Sequence, residues 1–256
     1  MNELDALLVL NAIDGIGCVR LKKLLDHYGS ARNVLSLNEK DLASDHIIPP
    51  NVVQNIFHFP KDNFLKSEYN LITKNKIGIV SFRDKDFPAH LLTIIDPPVI
   101  LYVKGRIPEN NAVAMAIVGS RRASVYGITI ADKLAVRLSE LGLPIVSGMA
   151  RGIDTAAHKG ALKVHGETVA VLGCGLAHIY PPENKGLFVQ IANQGAVISE
   201  FPMETPPAAF NLHAHLGVST ALFALALVAI FHDHLPVATC LGGAWDKLAR
   251  KERKNQ

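Results

Sequence analysis

Between residues 112 and 199 the chain repeats one unit: a short run that is apolar at every position, a Gly or Ser at its end, then a stretch with apolar residues at helical spacing. Residues 112–118 run apolar into Gly119, and 127–141 place Ile128, Ala131, Leu134, Ala135, Leu138 and Leu141 on one stripe. Residues 144–148 form a second such run, 155–164 a helical stretch, 168–172 a third run, 184–193 a helix and 196–199 a last strand. A strand with one wet face alternates polar and apolar residues, whereas one apolar throughout is covered on both faces. Parallel strands also need a crossover between them, and a helix supplies it. The pattern therefore predicts an α/β fold with a doubly wound parallel sheet. Ligands of such sheets sit beyond the carboxyl ends of the strands, which directs attention to the loops after residues 118, 148 and 172.

Those loops are rich in glycine and arginine. The first reads Gly119-Ser120-Arg121-Arg122-Ala123-Ser124, followed by the helix near Tyr126-Gly127. Glycine allows a tight turn, a helix N-terminus offers free N–H groups, and arginine is a bidentate phosphate donor. The second, Ser147-Gly148-Met149-Ala150-Arg151-Gly152-Ile153-Asp154, repeats the combination, with Asp154 suited to cap the next helix. The third is Gly173-Cys174-Gly175. Two readings stay open: an anion site carried by Arg121, Arg122 and Arg151, or arginines that are solvated or tie loops together by salt bridges.

With 256 residues, 49% hydrophobic and 19% charged, the chain holds one large or two modest domains with a real core. Cys18, Cys174 and Cys240 form no CxxC pair, so neither a disulfide framework nor a zinc site is suggested, and a reducing cytoplasm fits. No secretory signal opens the sequence, and the apolar run 221–231 spans 11 residues against the about 20 of a membrane span. The net charge of +3 resides entirely in residues 246–256, where five Lys or Arg face two acids. Bulk charge thus argues for no polyanion partner, and any such case rests on a few focused arginines.

The first 75 residues read as short helices, with Leu4, Leu7, Leu8 and Leu10 starting one and Leu21, Leu24 and Leu25 striping 19–28; another covers 52–57. Between the first two, Ile13-Asp14-Gly15-Ile16-Gly17 is a tight hairpin whose N–H groups could face a phosphate, or simply an interhelical turn. A linking region with strands at 77–82 and 99–103 follows.

Enzymatic motifs are missing. No G-x-G-x-x-G follows the first strand, and after Gly173-Cys174-Gly175 the third glycine position holds His178. There is no Walker A sequence, Cys174 has no nucleophile signature, and Ser120 and Ser147 lie in no G-x-S-x-G elbow.

Five ordered motifs together resemble the DNA processing protein DprA (Smf) family: Ala116-Ile117-Val118-Gly119-Ser120-Arg121-Arg122, Ser147-Gly148-Met149-Ala150-Arg151-Gly152-Ile153-Asp154-Thr155-Ala156-Ala157-His158, Val171-Leu172-Gly173-Cys174-Gly175-Leu176, Tyr180-Pro181-Pro182-Glu183-Asn184 and Ser199-Glu200-Phe201-Pro202. The helical part resembles the small all-α SAM-like or helix-hairpin-helix domain that many members carry. The resemblance implies three parts: that domain over 1–75, a Rossmann-like domain over 76–211 that is incomplete, and an aberrant tail over 212–256. It also implies a bacterial cytoplasmic protein of natural transformation, or competence. Such a protein binds incoming single-stranded DNA, protects it, and aids loading of the recombinase RecA onto strands coated by single-strand binding protein. Members act as homodimers and not as enzymes, with no cofactor, metal or membrane. Carried over by motif, Arg121 and Arg122 contact phosphates, Gly119 and Ser120 give backbone or hydroxyl donors, and Gly148, Arg151 and Gly152 line the same pocket. Gly15 and Gly17 are a candidate second DNA contact, and Tyr180 is a candidate stacking residue or a packing one.

The family pattern breaks after Phe210-Asn211, where an Arg-rich segment Asn-Phe-Pro-x-Arg-Asn-Arg-Ile-Ile is expected and Leu212-His213-Ala214-His215 stands instead. Codons for Ser219 to Phe223, read two bases out of phase, can spell Asn-Arg-Ile-Ile, which suggests a frameshift. Such a loss exposes an apolar sheet edge unless the tail covers it. His213, His215, His232 and His234, with Cys240 nearby, then read as incidental, and the basic end 247–254 as a solvated terminus. The rival reading is a nucleotide-processing enzyme of Rossmann-like fold similar to phosphoribohydrolases, whose Pro-Gly-Gly-x-Gly-Thr loop does not occur here; an inactive fragment is the third.

Overall fold

The computed structural model describes residues 1–94, 96–108 and 113–207, together with the backbone of two strands at 228–232 and 235–239. The histidine pairs, Cys240, the basic end and the start of the first predicted parallel strand at Ala112 lie outside the described side chains.

Four consecutive parallel strands form the centre: β3 (Met115–Gly119), β4 (Ile145–Ser147), β5 (Thr168–Val171) and β6 (Ala196–Ser199). The helices α7 (Val125–Glu140), α8 (Ile153–Lys163) and α9 (Lys185–Gln194) connect them. Register places Met115 beside Ile145, Ile145 beside Thr168 and Ala170 beside Val197, so these side chains share one face. Met115, Ile117 and Ile145 pack there on Ala131, Ala135 and Leu138 of α7 and on Ala157 of α8, while Ala170 and Val197 join the cluster containing Phe188 and Ile191 of α9. Three crossovers of one hand, moving outward strand by strand, must lie on one face. The opposite face, with Ala116, Val146, Val169, Val171 and Ile198, is covered by Phe87 and Leu91.

The stretch that the sequence presents as a link is built into this sheet. Ile100, Leu101, Tyr102 and Val103 are all buried, which requires cover on both faces, and β2 (Ile100–Gly105) pairs antiparallel with β6 and with β1 (Gly78–Ser81). On the far side, β7 (Val228–His232) runs parallel to β3 and β8 (Leu235–Thr239) returns antiparallel. The order is β1-β2-β6-β5-β4-β3-β7-β8. The chain thus leaves β3 in one direction to build β4 to β6 and comes back to its other side with β7, making the end of β3 the point where strand order reverses.

Six helices precede the sheet: α1 (Glu3–Ala12), α2 (Cys18–Tyr28), α3 (Ala31–Ser36), α4 (Glu39–Ser44), α5 (Pro50–His58) and α6 (Lys61–Asn75). Asn2 and Asp5 form a reciprocal capping box at α1, and Ser30 and Asn38 cap α3 and α4, satisfying N–H groups that a helix start leaves free. Their core is continuous with the sheet through buried Glu68 on α6. The Tyr102 hydroxyl donates to Glu68 Oε1 at 2.6 Å and the Met203 N–H to the same oxygen at 2.9 Å. A second tie joins Asn11 Nδ2 to the carbonyl of Glu200 at 2.9 Å.

Burial raises the carboxyl pKa of both acids at this junction, that of Glu200 from 4.5 to about 6. A carboxyl with a raised folded pKa gives most stability below its unfolded value and loses it as pH rises through the folded one. Urea unfolding should therefore show the chain losing stability between pH 4.5 and about 6. A Glu200→Gln variant should lack roughly 2 kcal/mol of that loss, at about 1.4 kcal/mol per pKa unit.

Candidate functional site

The loops after β3 and β4 are joined backbone to backbone. Gly152 has φ +79°, and a Cβ there would overlap the Ser120 carbonyl oxygen and crowd Arg121. A Cβ on Gly119 would lie 2.8 Å from Cγ1 of Ile153. The Ile153 N–H donates to the Ser120 carbonyl at 3.3 Å. These glycines are thus required by close approach of the first strand end to the start of α8.

Asp154 departs from its expected role. The N-cap of α8 is Gly152, and Asp154 lies inside the first turn. Its buried carboxylate accepts from the Gly119 N–H at 3.3 Å and from the Gly148 N–H at 3.2 Å, bridging two adjacent strand ends. Burial pushes this carboxyl up from 3.8 to about 6, against the lowering effect of those N–H groups and of the Arg121 charge. The N–H of Gly119, which the resemblance implies as a ligand donor, and that of Gly148, which it implies only as lining the pocket, are therefore both occupied by Asp154.

The three arginines differ. Arg121 and Arg122 are exposed, and among the described residues neither guanidinium has an ion pair or hydrogen bond. The Arg122 N–H donates to Ser120 Oγ at 3.1 Å, which leaves the Ser120 hydroxyl hydrogen available. Arg151 is also exposed, but Glu183 holds it with two oxygens: Nε meets Oε1, and Nη2 meets Oε2 at 3.1 Å. The pair raises the Arg151 pKa and lowers that of Glu183. The salt-bridge reading thus applies to Arg151, while Arg121 and Arg122 stand open to solvent. Glu183 is placed by its neighbour Asn184, whose Nδ2 donates at 2.8 Å to the Met149 carbonyl and at 2.8 Å to Thr155 Oγ1. Tyr180 is exposed near Arg151.

The third loop is closed. A Cβ on Gly175 would overlap the carbonyls of Pro202 and Met203, and the Gly175 N–H donates to the Thr205 carbonyl at 2.9 Å. Burial pushes the Cys174 thiol up to about 11, and Ser147 Oγ donates to the Ile117 carbonyl at 2.6 Å. Among the described residues no three His, Cys, Asp or Glu side chains are grouped to hold a metal ion. No described helix is long and apolar enough to cross a membrane. In the N-terminal hairpin Gly15 has φ +88°, and a Cβ there would lie 2.6 Å from Val52 Cγ2, so packing accounts for it. Gly17 is exposed, with nothing near where its Cβ would be.

The sequence matches the family DNA recombination-mediator protein A over residues 76–223, more than half of the chain. The chain belongs to that family. Among curated relatives, the Smf protein of Synechocystis is 33% identical over 234 residues, covering 86% of this chain and 56% of that protein. DNA processing protein DprA of Streptococcus pneumoniae is 40% identical over 154 residues, 60% of this chain and 54% of that protein. Escherichia coli Smf is 36% identical over 159 residues, 62% of this chain and 42% of that protein. The chain spans about half the length of the curated relatives it matches. The crystal structure of the S. pneumoniae protein superposes with a TM-score of 0.69 at 30% identity, covering 94% of this chain and 81% of that one. DNA processing protein A of Helicobacter pylori, solved for its single-stranded DNA binding mode, gives a TM-score of 0.52 at 27% identity over 60% of this chain and 68% of that one.

The family match encloses both joined loops and Glu183, and it runs past Asn211, where the motif reading stops. Asp154 and Glu183 are the residues that sequence reasoning misjudges or passes over; the Gly-Ile-Asp and Pro-Glu-Asn strings are visible, but not that Asp154 turns inward on two strand ends while exposed Glu183 pairs with Arg151. Because Gly152 joins the loops, Gly152→Ala should cost at least about 2 kcal/mol from left-handed strain and forced displacement of Ser120. Chemical denaturation checks it, with Gly17→Ala expected to stay within about 0.5 kcal/mol as the control.

Proposed function

We propose that the chain binds single-stranded DNA at the reversal point of its sheet, with Arg121 and Arg122 on backbone phosphates and the Ser120 hydroxyl as a further donor. One observation carries this reading: two exposed guanidinium groups, without an ion pair or hydrogen bond among the described residues, project from a backbone locked by Asp154, Gly119 and Gly152. A fixed loop loses little entropy on binding, and such groups need break no hydrogen bond to meet a phosphate, the Arg121 charge acting only at longer range on buried Asp154. The family membership and the Helicobacter pylori relative support it. Arg151 is a conditional contact, since it must exchange Glu183 for phosphate. Gly148 and Gly152 serve the pocket by shaping the loops, and Gly15 and Gly17 provide a second contact on the helical unit.

On this reading the protein acts without catalysis in the bacterial cytoplasm during natural transformation. It protects incoming strands and aids RecA loading in the presence of single-strand binding protein. We propose separately that residues 212–256 are read out of frame; strand pairing uses backbone groups and so does not depend on the frame. Resequencing across codons 205–225 that returned an intact frame would overturn that.

Phosphate contacts make affinity salt-dependent, with a slope of about 0.7 per contact on single strands. In fluorescence anisotropy across a salt series, the Arg121→Ala, Arg122→Ala double variant should bind an oligonucleotide more weakly and with the slope reduced by about 1.4. An unchanged slope would refute the assignment. Glu183→Gln should release Arg151, tightening binding and increasing the slope by up to about 0.7.

A further inference from the structure

Phosphate contacts explain attraction to DNA but not preference for a single strand, because duplex and single strand share the same backbone chemistry. Discrimination needs a group that engages an unstacked base. Beside the arginine loop stands a largely exposed aromatic side chain. Tyr126, in the first turn of α7, is 71% exposed, and its neighbour Val125 is 82% exposed. The buried stripe of α7 is made by Ala131, Ala135 and Leu138, and among the described residues the Tyr126 hydroxyl has no hydrogen bond. An exposed aromatic ring offers a flat apolar face on which a planar group can stack.

Its position is fixed relative to the arginines. Ser124 caps α7 by accepting from the Gly127 N–H at 3.2 Å, so Tyr126 follows Arg122 by one turn of chain. The start of α7 lies on the start of α8: a Cβ on Gly127 would lie 3.5 Å from Cδ1 of Ile153, whose own N–H bonds Ser120. Side chains of a helix lean toward its N-terminus, which here is the arginine loop.

Resting on the proposed DNA reading, we infer that Tyr126 is the specificity-determining residue of this site, stacking on an unpaired base whose flanking phosphates meet Arg121 and Arg122. A base buried in a duplex offers no free face to this ring, so the contact is available to single strands alone. Val125 extends the apolar surface under the base edge.

The test compares anisotropy of labelled oligo-dT, an abasic strand of equal length and a duplex, for the unaltered chain, Tyr126→Ala, Tyr126→Phe and the Arg121→Ala, Arg122→Ala double variant. Tyr126→Ala should weaken oligo-dT binding about tenfold, with abasic and duplex affinities within twofold, and Tyr126→Phe should keep oligo-dT affinity. Irradiating a 5-iodouracil strand bound to the unaltered chain should cross-link Tyr126, a readout that does not depend on any variant folding. If Tyr126→Ala leaves oligo-dT affinity unchanged, or lowers abasic affinity equally, and the cross-link falls elsewhere, the inference is overturned while the loss in the arginine variant upholds the DNA reading. If the arginine variant binds all three probes as the unaltered chain does, the DNA reading falls and the stacking role with it.

Discussion

The carboxylate of Asp154 holds the working end of this sheet together. Parallel strands in a doubly wound sheet end in separate loops, and nothing in the ladder of strand hydrogen bonds fixes one loop against the next. Here one buried acid takes the N–H of Gly119 at the end of β3 and the N–H of Gly148 just beyond β4, so the two loops share a single anchor. The contact of Gly152 with the Ser120 carbonyl closes the same junction from the other side. Burial raises the Asp154 pKa to about 6, while the two N–H bonds and the charge of Arg121 favour its ionised form, so near neutral pH the carboxylate is largely charged and the exposed charge of Arg121 offsets it at the surface.

That surface charge matters because the rest of the molecule has so little of it. Outside residues 246–256 acids and bases balance, so any long-range attraction to a polyanion would be weak and orientation must come from local groups. The arginines are then graded by their partners. Arg121 and Arg122 have no ion pair or hydrogen bond of their guanidinium groups among the described residues, although the Arg121 charge acts on buried Asp154, whereas Arg151 is held bidentately by Glu183. Both members of that pair are solvent-exposed, where such bridges contribute little and exchange readily. An exposed bridge of this kind orients Arg151 while leaving it exchangeable.

The sequence made the strands legible because burial on both faces leaves an unbroken apolar run. The predicted strand at 196–199 coincides with β6, and the predicted runs at 144–148 and 168–172 enclose β4 and β5. The strand predicted at 99–103 overlaps β2, but the sequence assigns it to a linking region, and its pairing with β6 makes it part of the same sheet. Within the site, glycine and arginine were visible as types but not their allocation. Asp154 looks like an N-cap because a cap and a first-turn acid differ by two positions, a difference that the φ of +79° at Gly152 decides. Likewise Arg151 and Glu183 are 32 residues apart, and no periodicity links them.

The reversal of strand order makes one further demand. A ligand site at such a point needs a strand on each side of β3, since an open edge would present unpaired backbone groups beside the loop and let the last residues of β3 fray. Register supplies the second side: Ile117, Val118 and Gly119 pair with Ala229, Ile230 and Phe231 of β7, and Ala116 pairs with Val146 on the other. Because the ladder is made by main-chain groups, it fixes Gly119 whatever side chains β7 carries. The arginine loop therefore springs from an interior strand, and its rigidity depends on a strand that lies beyond the residues matched by the family.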